Sequence, residues 1–261
     1  MTIGWRLAKA NLLHMKEANM MRMMIAVAVV TLLAFSTFAK TQEVDANQTI
    51  QFVPEPGFVP MFNGRDLSGW EGATNVYAVT KEGYLTCYQR GTRGKGGPRN
   101  LWSVKDYSDF IIRFDVKLPK DTNNGLGIRT PPNGRCARDG MEIQLLDDRG
   151  EAWTGSNTLY AAQYSGAIYG VVPPARKVNG ESYINRAGEW NTVEVTAKGP
   201  QITVVLNGTT VVDADVSKYS TTAAYLPDRH QHPGLHNKKG RIHWCGHGRE
   251  LFIRNVRIKE L

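Results

Sequence analysis

The sequence predicts an all-β protein, with two antiparallel sheets packed as a sandwich or jelly roll. Three observations carry this. Many short runs alternate apolar and polar residues with the period of a strand, as in Phe110-Ile111-Ile112-Arg113-Phe114-Asp115-Val116-Lys117-Leu118. Gly-rich turns such as Lys198-Gly199-Pro200 and Asn207-Gly208 separate the runs. Beyond residue 39 no amphipathic helix of any length is written, so the strand–helix alternation of a parallel sheet is missing.

The chain has 261 residues, 41% of them hydrophobic and 21% charged, which suits one sizeable β domain. Residues 1–39 read as a separate N-terminal extension and signal peptide. Arg22 precedes an apolar run from Met23 to Phe38 that ends in Thr37-Phe38-Ala39, a small-residue cleavage pattern. The run is short for a membrane span, so the mature chain is expected to be exported without stable membrane insertion, to the periplasm or beyond. Residues 40–56 are a polar linker, and 57–261 form the single folded domain. The formal charge is +8, part of it in the leader. No dense Lys/Arg tract with interleaved aromatics appears, so nucleic acid is not an expected partner. Cys87, Cys136 and Cys245 allow one internal disulfide and leave one thiol over.

Taken in order, Asn63-Gly64 and Ser68-Gly69 mark turns between Phe62 and Trp70. Lys81-Glu82-Gly83 turns a hairpin between Val79 and Leu85. Residues 91–100 are a Gly- and Arg-rich loop, and 110–118 is the strong strand already quoted. Asn123-Asn124-Gly125 turns into a short strand that delivers Arg129, and Gly125 and Gly127 let another backbone or a ligand approach closely. Residues 148–188 form a long irregular region, of the kind that is usually functional. A meander follows over 190–216. Residues 217–240 make a second loop holding His230, His232 and His236, and the chain closes on strands at 241–244 and 251–259.

Gly140-Met141-Glu142-Ile143-Gln144-Leu145-Leu146-Asp147 carries the chemistry. Glu142 and Gln144 point to one face, because side chains alternate along a strand. Asp147, five residues after Glu142, joins that face if a β-bulge falls at Leu145-Leu146. The spacing is similar to the E-x-D-x-x-E strand of retaining β-glucanases of the laminarinase type, in which two carboxylates flank the scissile bond.

Phe62-Asn63-Gly64-Arg65-Asp66-Leu67-Ser68-Gly69-Trp70 resembles the opening motif of the bacterial 3-keto-disaccharide hydrolase family. Asn123-x-Gly-x-x-x-Arg129, Gly140-x-Glu142-x-Gln144-x-x-Asp147, Gly188-Glu189-Trp190-Asn191, Leu206-Asn207-Gly208 and His247-Gly248 with Arg254-Asn255-Val256 follow in that family's order. The resemblance runs from about Gly57 to Leu261. It implies a concanavalin-like jelly roll with a sugar site on its concave face, export, and an oligosaccharide or glycoside substrate. One departure stands out. The family's Leu-Gln-Asp-His-Gly is here Trp244-Cys245-Gly246-His247-Gly248.

In a 3-keto sugar the C2 proton is acidic, since its loss gives an enolate. A base can remove it and expel the C1 substituent, and water is added later. Glu142, Asp147 and His247 are the candidate acids and bases. Arg129 either holds an oxyanion or pairs with a carboxylate. Gln144 and Asn124 are substrate-binding candidates, with Trp153, Tyr160 and Tyr169 of the long loop as stacking surfaces. His230 and His232, at i and i+2, are candidate ligands for a divalent metal with His236 or His247. Two other readings stay open. One is displacement, with Glu142 as nucleophile and Asp147 as acid. The other is a non-catalytic carbohydrate-binding module on the same fold.

Overall fold

The computed structural model describes residues 55–87, 99–222, 230–247 and 250–261. Residues 1–39, where a signal peptide is expected, nearly all of the 40–56 segment, most of the Gly/Arg-rich loop, Gly248 and part of the second loop lie outside the described residues.

The strands in chain order are β1 (Val59–Pro60), β2 (Trp70–Gly72), β3 (Tyr77–Val79), β4 (Leu85–Cys87), β5 (Leu101–Tyr107), β6 (Phe110–Lys117) and β7 (Asn123–Thr130). Then come β8 (Met141–Leu146), β9 (Trp190–Lys198), β10 (Gln201–Leu206), β11 (Thr209–Asp215), β12 (Gly240–Trp244) and β13 (Phe252–Glu260). One short helix, α1 (Cys136–Asp139), joins β7 to β8. The strands form two antiparallel sheets. One has eight strands in the order β11-β10-β9-β6-β13-β4-β3, with β1 on β13, and the other has five in the order β2-β5-β12-β7-β8. This is the jelly-roll sandwich that the patterning predicts.

The core lies between the sheets. Phe110, Ile112, Phe114 and Val116 of β6 face Leu126 and Ile128 of β7, Ile143 and Leu145 of β8, and Trp244 of β12, all essentially without solvent exposure. The period-2 spacing of these residues is what buries one face of each strand. The Asn207-Gly208 turn pairs Leu206 with Thr209, and both turn residues have positive φ, 49° and 81°. That is the twist a two-residue hairpin needs. In β13 the register slips between Arg254 and Arg257, where Asn255 has a φ of 54°. The bulge lets Val256 and Ile258 share the buried face with Ile253.

The same device is absent where the sequence led us to expect it. β8 pairs with β7 in unbroken register from Ile128↔Met141 to Asn123↔Leu146. With no bulge at Leu145-Leu146, alternation carries Asp147 away from the face of Glu142 and Gln144. The bulge lies instead at Arg129, which has a φ of 50°, opposite the slip between Arg241 and His243 of β12.

Candidate active site

The five-stranded sheet carries a polar row on the face away from the core. Across the strands, Trp102 of β5 pairs with His243 of β12, His243 with Gly127 of β7, and Gly127 with Glu142 of β8. Two glycines make this row fit. A Cβ on Gly127 would overlap the His243 ring, and one on Gly125 would overlap the Glu142 carboxylate. The close approach at Gly125 and Gly127 is therefore made by the Glu142 and His243 side chains, and not by the backbone or ligand expected there.

Glu142 is buried, and the imidazole of His247 reaches its carboxyl group from the rim. His247 Nε2 lies 3.5 Å from Glu142 Oε1, with His247 42% exposed and Glu142 only 5%. Burial draws the imidazolium of His247 down, and Arg99 acts the same way. Hydrogen bonding and charge from Glu142 outweigh them, and the His247 pKa is raised overall. A buried carboxyl group beside an imidazole whose pKa it raises can exchange a proton with it, and one end of the pair is open to solvent.

The loop carrying His247 is anchored three times. The backbone N–H of Cys245 donates to Gly125 O at 2.9 Å. That of Gly246 donates to Asn100 Oδ1 at 3.3 Å. Cys245 is disulfide-bonded to Cys136 of α1, a sequence separation of 109 residues. Gly246 packs so closely on Arg99 that a Cβ would overlap the Arg99 carbonyl. The departure from the family pattern at Cys245-Gly246 thus has a structural basis. The Cys is cross-linked, and the Gly sits where an Asp side chain has no room.

Gln144 is two residues beyond Glu142 on the same face, about 6.6 Å along the strand. It lines a cavity of about 440 Å³ together with Asn123, Leu146, Trp153, Tyr160 and Tyr169. Three aromatic residues chosen from the sequence therefore meet Gln144. Tyr169 also ties the loop to β8, its N–H donating to Glu142 O at 2.9 Å. The cavity is lined by Asn123 rather than Asn124. Asn124 shares the parity of the core residues Leu126 and Ile128, and its Oδ1 accepts from the Gly125 N–H at 2.8 Å.

Two other sequence candidates lie apart. Asp147 Oδ2 accepts from the Asp121 N–H at 2.9 Å, and Asp147 lines a separate cavity with Lys120, Arg149 and Arg186. Alternation would set Arg129 beside Gly127. Its left-handed backbone turns it instead to the sheet edge. There it donates to Ser108 O at 2.8 Å and to Gly199 O, and pairs with Asp109 at 2.9 Å. It lines a third cavity, with Pro200, His236 and Lys238.

Among the described residues, the histidines of the second loop are not gathered into one ligand set. His232 Nδ1 contacts Ala137 O at 2.7 Å. His236 Nε2 bonds the carbonyls of Val216 and Tyr219, each at 3.0 Å. Among the described residues, the His/Cys/carboxylate cluster with metal-like proximity is Cys136, His243 and Cys245, with ligand atoms within 4.8 Å of one another. His243 is fully buried, stacks on Trp102 at 3.9 Å between ring centres, and has its pKa pushed down to about 3 by burial. Sequence reasoning passed over it. The available signal was its position between the apolar Ile242 and Trp244, which sets it on the face opposite the core.

Among the described residues no helix is long and apolar enough to cross a membrane. No curated protein matches the chain. Two solved structures of proposed glycosyl hydrolases from Parabacteroides distasonis are similar. One is 25% identical, covering 78% of this chain and 99% of the other, with a TM-score of 0.66. The second is 24% identical, covering 80% and 99%, also at 0.66. A β-glucanase from Bacillus licheniformis is 14% identical, covering 80% and 100%, at 0.45. The family model described as the 3-keto-alpha-glucoside-1,2-lyase-like domain matches residues 57–259, and the chain belongs to that family.

Proposed function

We propose that this protein is an exported carbohydrate-active enzyme that cleaves the glycosidic bond of a 3-keto-glucoside by base-initiated elimination. The single observation behind this reading is the Glu142–His247 pair, at 3.5 Å, on the sheet face that also presents Gln144. Glu142, buried and backed by Gly125, takes the C2 proton. His247, whose pKa Glu142 raises and which is open to solvent, stabilises the enolate oxygen and, in its protonated form, gives its proton to the departing C1 oxygen. Gln144 and Asn123 bond sugar hydroxyls, and Trp153, Tyr160 and Tyr169 flank the ring. Family membership supports the keto-sugar substrate, and the leader-like pattern of residues 22–39 supports export.

Displacement with Asp147 as the acid has less support. The Asp147 carboxylate is engaged by the Asp121 backbone and turned to another cavity. A binding module remains the second reading, because the Gln144 cavity combines aromatic surface with hydrogen-bonding groups as a sugar-binding site does. The deciding experiment measures aglycone release from 3-keto-α- and 3-keto-β-glucosides and from their unoxidised parents, with and without chelator. Cleavage of the keto sugars alone supports elimination. Cleavage of the parents supports displacement. Sugar binding by calorimetry without any cleavage supports the binding module.

A further inference from the structure

A cluster outside the proposed chemistry has the geometry of a ligand set. Cys136 and Cys245 are joined, with Cα atoms 6.2 Å apart. His243 Nδ1 lies 3.9 Å from Cys136 Sγ. A tetrahedral Zn(II) bound to one thiolate and one imidazole sets nitrogen and sulfur about 3.6 Å apart, so the observed spacing is close to that edge. Two sulfurs on such an ion stand about 3.8 Å apart, so opening the S–S bond and a small displacement of Cys136 suffice. Cys136 is on a four-residue helix after the exposed Pro131-Pro132-Asn133 loop, and it is the more exposed of the two cysteines.

The imidazole is already oriented for a ligand. His243 Nε2 lies 3.1 Å from Thr130 Oγ1, and that hydroxyl lies 3.3 Å from the carbonyl of Ile128. The hydroxyl donates to the carbonyl and accepts from Nε2–H. This leaves Nδ1 with a lone pair facing the sulfurs, the outer arrangement that fixes the tautomer of metal-bound histidines. Stacking on Trp102 and the space left by Gly127 hold the ring in place. Cys136 is only partly buried, which gives an ion a route in.

We propose that Cys136, Cys245 and His243 are a thiol-gated site for a borderline-soft divalent ion such as Zn(II), closed as a disulfide when oxidised and able to bind metal when reduced. A dithiol or phosphine reductant supplies two electrons, and two protons are taken up as the S–S bond becomes two thiols. The ion then displaces those two protons and is held by two thiolates and the neutral Nδ1. A fourth position is left for water.

The test is a titration of the full chain with Co(II), a spectroscopic stand-in for Zn(II), before and after anaerobic reduction with a phosphine. The reduced protein is expected to show a near-ultraviolet thiolate-to-cobalt band that saturates at one ion per chain and disappears on adding Zn(II). The oxidised protein is expected to show none. Cys136→Ser should abolish the band, and Cys87→Ala should leave it unchanged. Because His243→Ala removes a fully buried, stacked ring and can unfold the protein, Thr130→Val is the second variant. It keeps the ring and should weaken Co(II) binding roughly 10–100-fold. No thiolate band in reduced protein that is still folded by circular dichroism would overturn the proposal. So would a band of equal strength in the oxidised protein, or one lost in Cys87→Ala.

Discussion

His247 Nε2 stands 3.5 Å from Glu142 Oε1, although the two residues are 105 positions apart and only one of them is buried. A buried carboxylate needs a partner, and here the partner reaches in from the solvent side. If the pair is the acid–base machinery, Glu142→Gln and His247→Ala each lower turnover of the keto-glucoside about 10²–10⁴-fold. The thermal midpoint should stay within a few degrees, since His247 is half-exposed and Gln keeps the shape of Glu142. A large loss of stability with full activity per folded molecule would instead make the pair structural.

The pair also sets a pH dependence. Glu142 raises the His247 pKa against the opposing effects of burial and Arg99. The imidazolium therefore persists above the ordinary value of about 6.5. The ion pair stabilises the fold fully below that ordinary value, and this contribution is lost as pH rises through the folded-state value. Turnover that needs charged His247 falls on the same alkaline side. In Glu142→Gln only the lowering influences remain, so the His247 imidazole, followed by NMR titration, should shift down below the wild-type value. An unchanged titration would show that the contact is not made in solution.

Gly125 and Gly127 are next-but-one neighbours whose Ala substitutions should have different consequences. Gly125→Ala strikes the Glu142 carboxylate, so activity should fall while the Glu side chain gives way. Gly127→Ala strikes the His243 ring, which is buried and stacked on Trp102, so it has nowhere to move. Overpacking of that kind costs about 1–3 kcal/mol. Denaturant unfolding and kinetics on both variants check this, and equal stability losses would refute the assignment of two different neighbours.

Arg129 separates a structural from a catalytic role. Its side chain is only 2% exposed, and it bonds Ser108 O, Gly199 O and Asp109. Arg129→Met removes these bonds, leaving Asp109 its bond from the Gly199 N–H but taking the guanidinium from the Ser108 and Gly199 carbonyls, and should cost about 2–3 kcal/mol. Activity per folded molecule is expected to survive, because the guanidinium points into another cavity. Loss of turnover at unchanged stability would return Arg129 to the chemistry.

The strands, their antiparallel pairing and most turns were legible in the sequence, because period-2 alternation and Asn-Gly or Gly-Pro turns are local properties. Glu142 and Gln144 sharing a face follows from the same period. The positions of Asp147 and Arg129 do not, because a bulge inverts the parity of everything after it, and no residue type announces where it falls. Here it falls at Arg129 rather than at Leu145-Leu146. The meeting of His247 with Glu142, the row from Trp102 through His243, and the Cys136–Cys245 link all join strands distant in the chain. Only the order of strands in the sheet brings such residues together, and that order is set by burying a common core, not by any one segment.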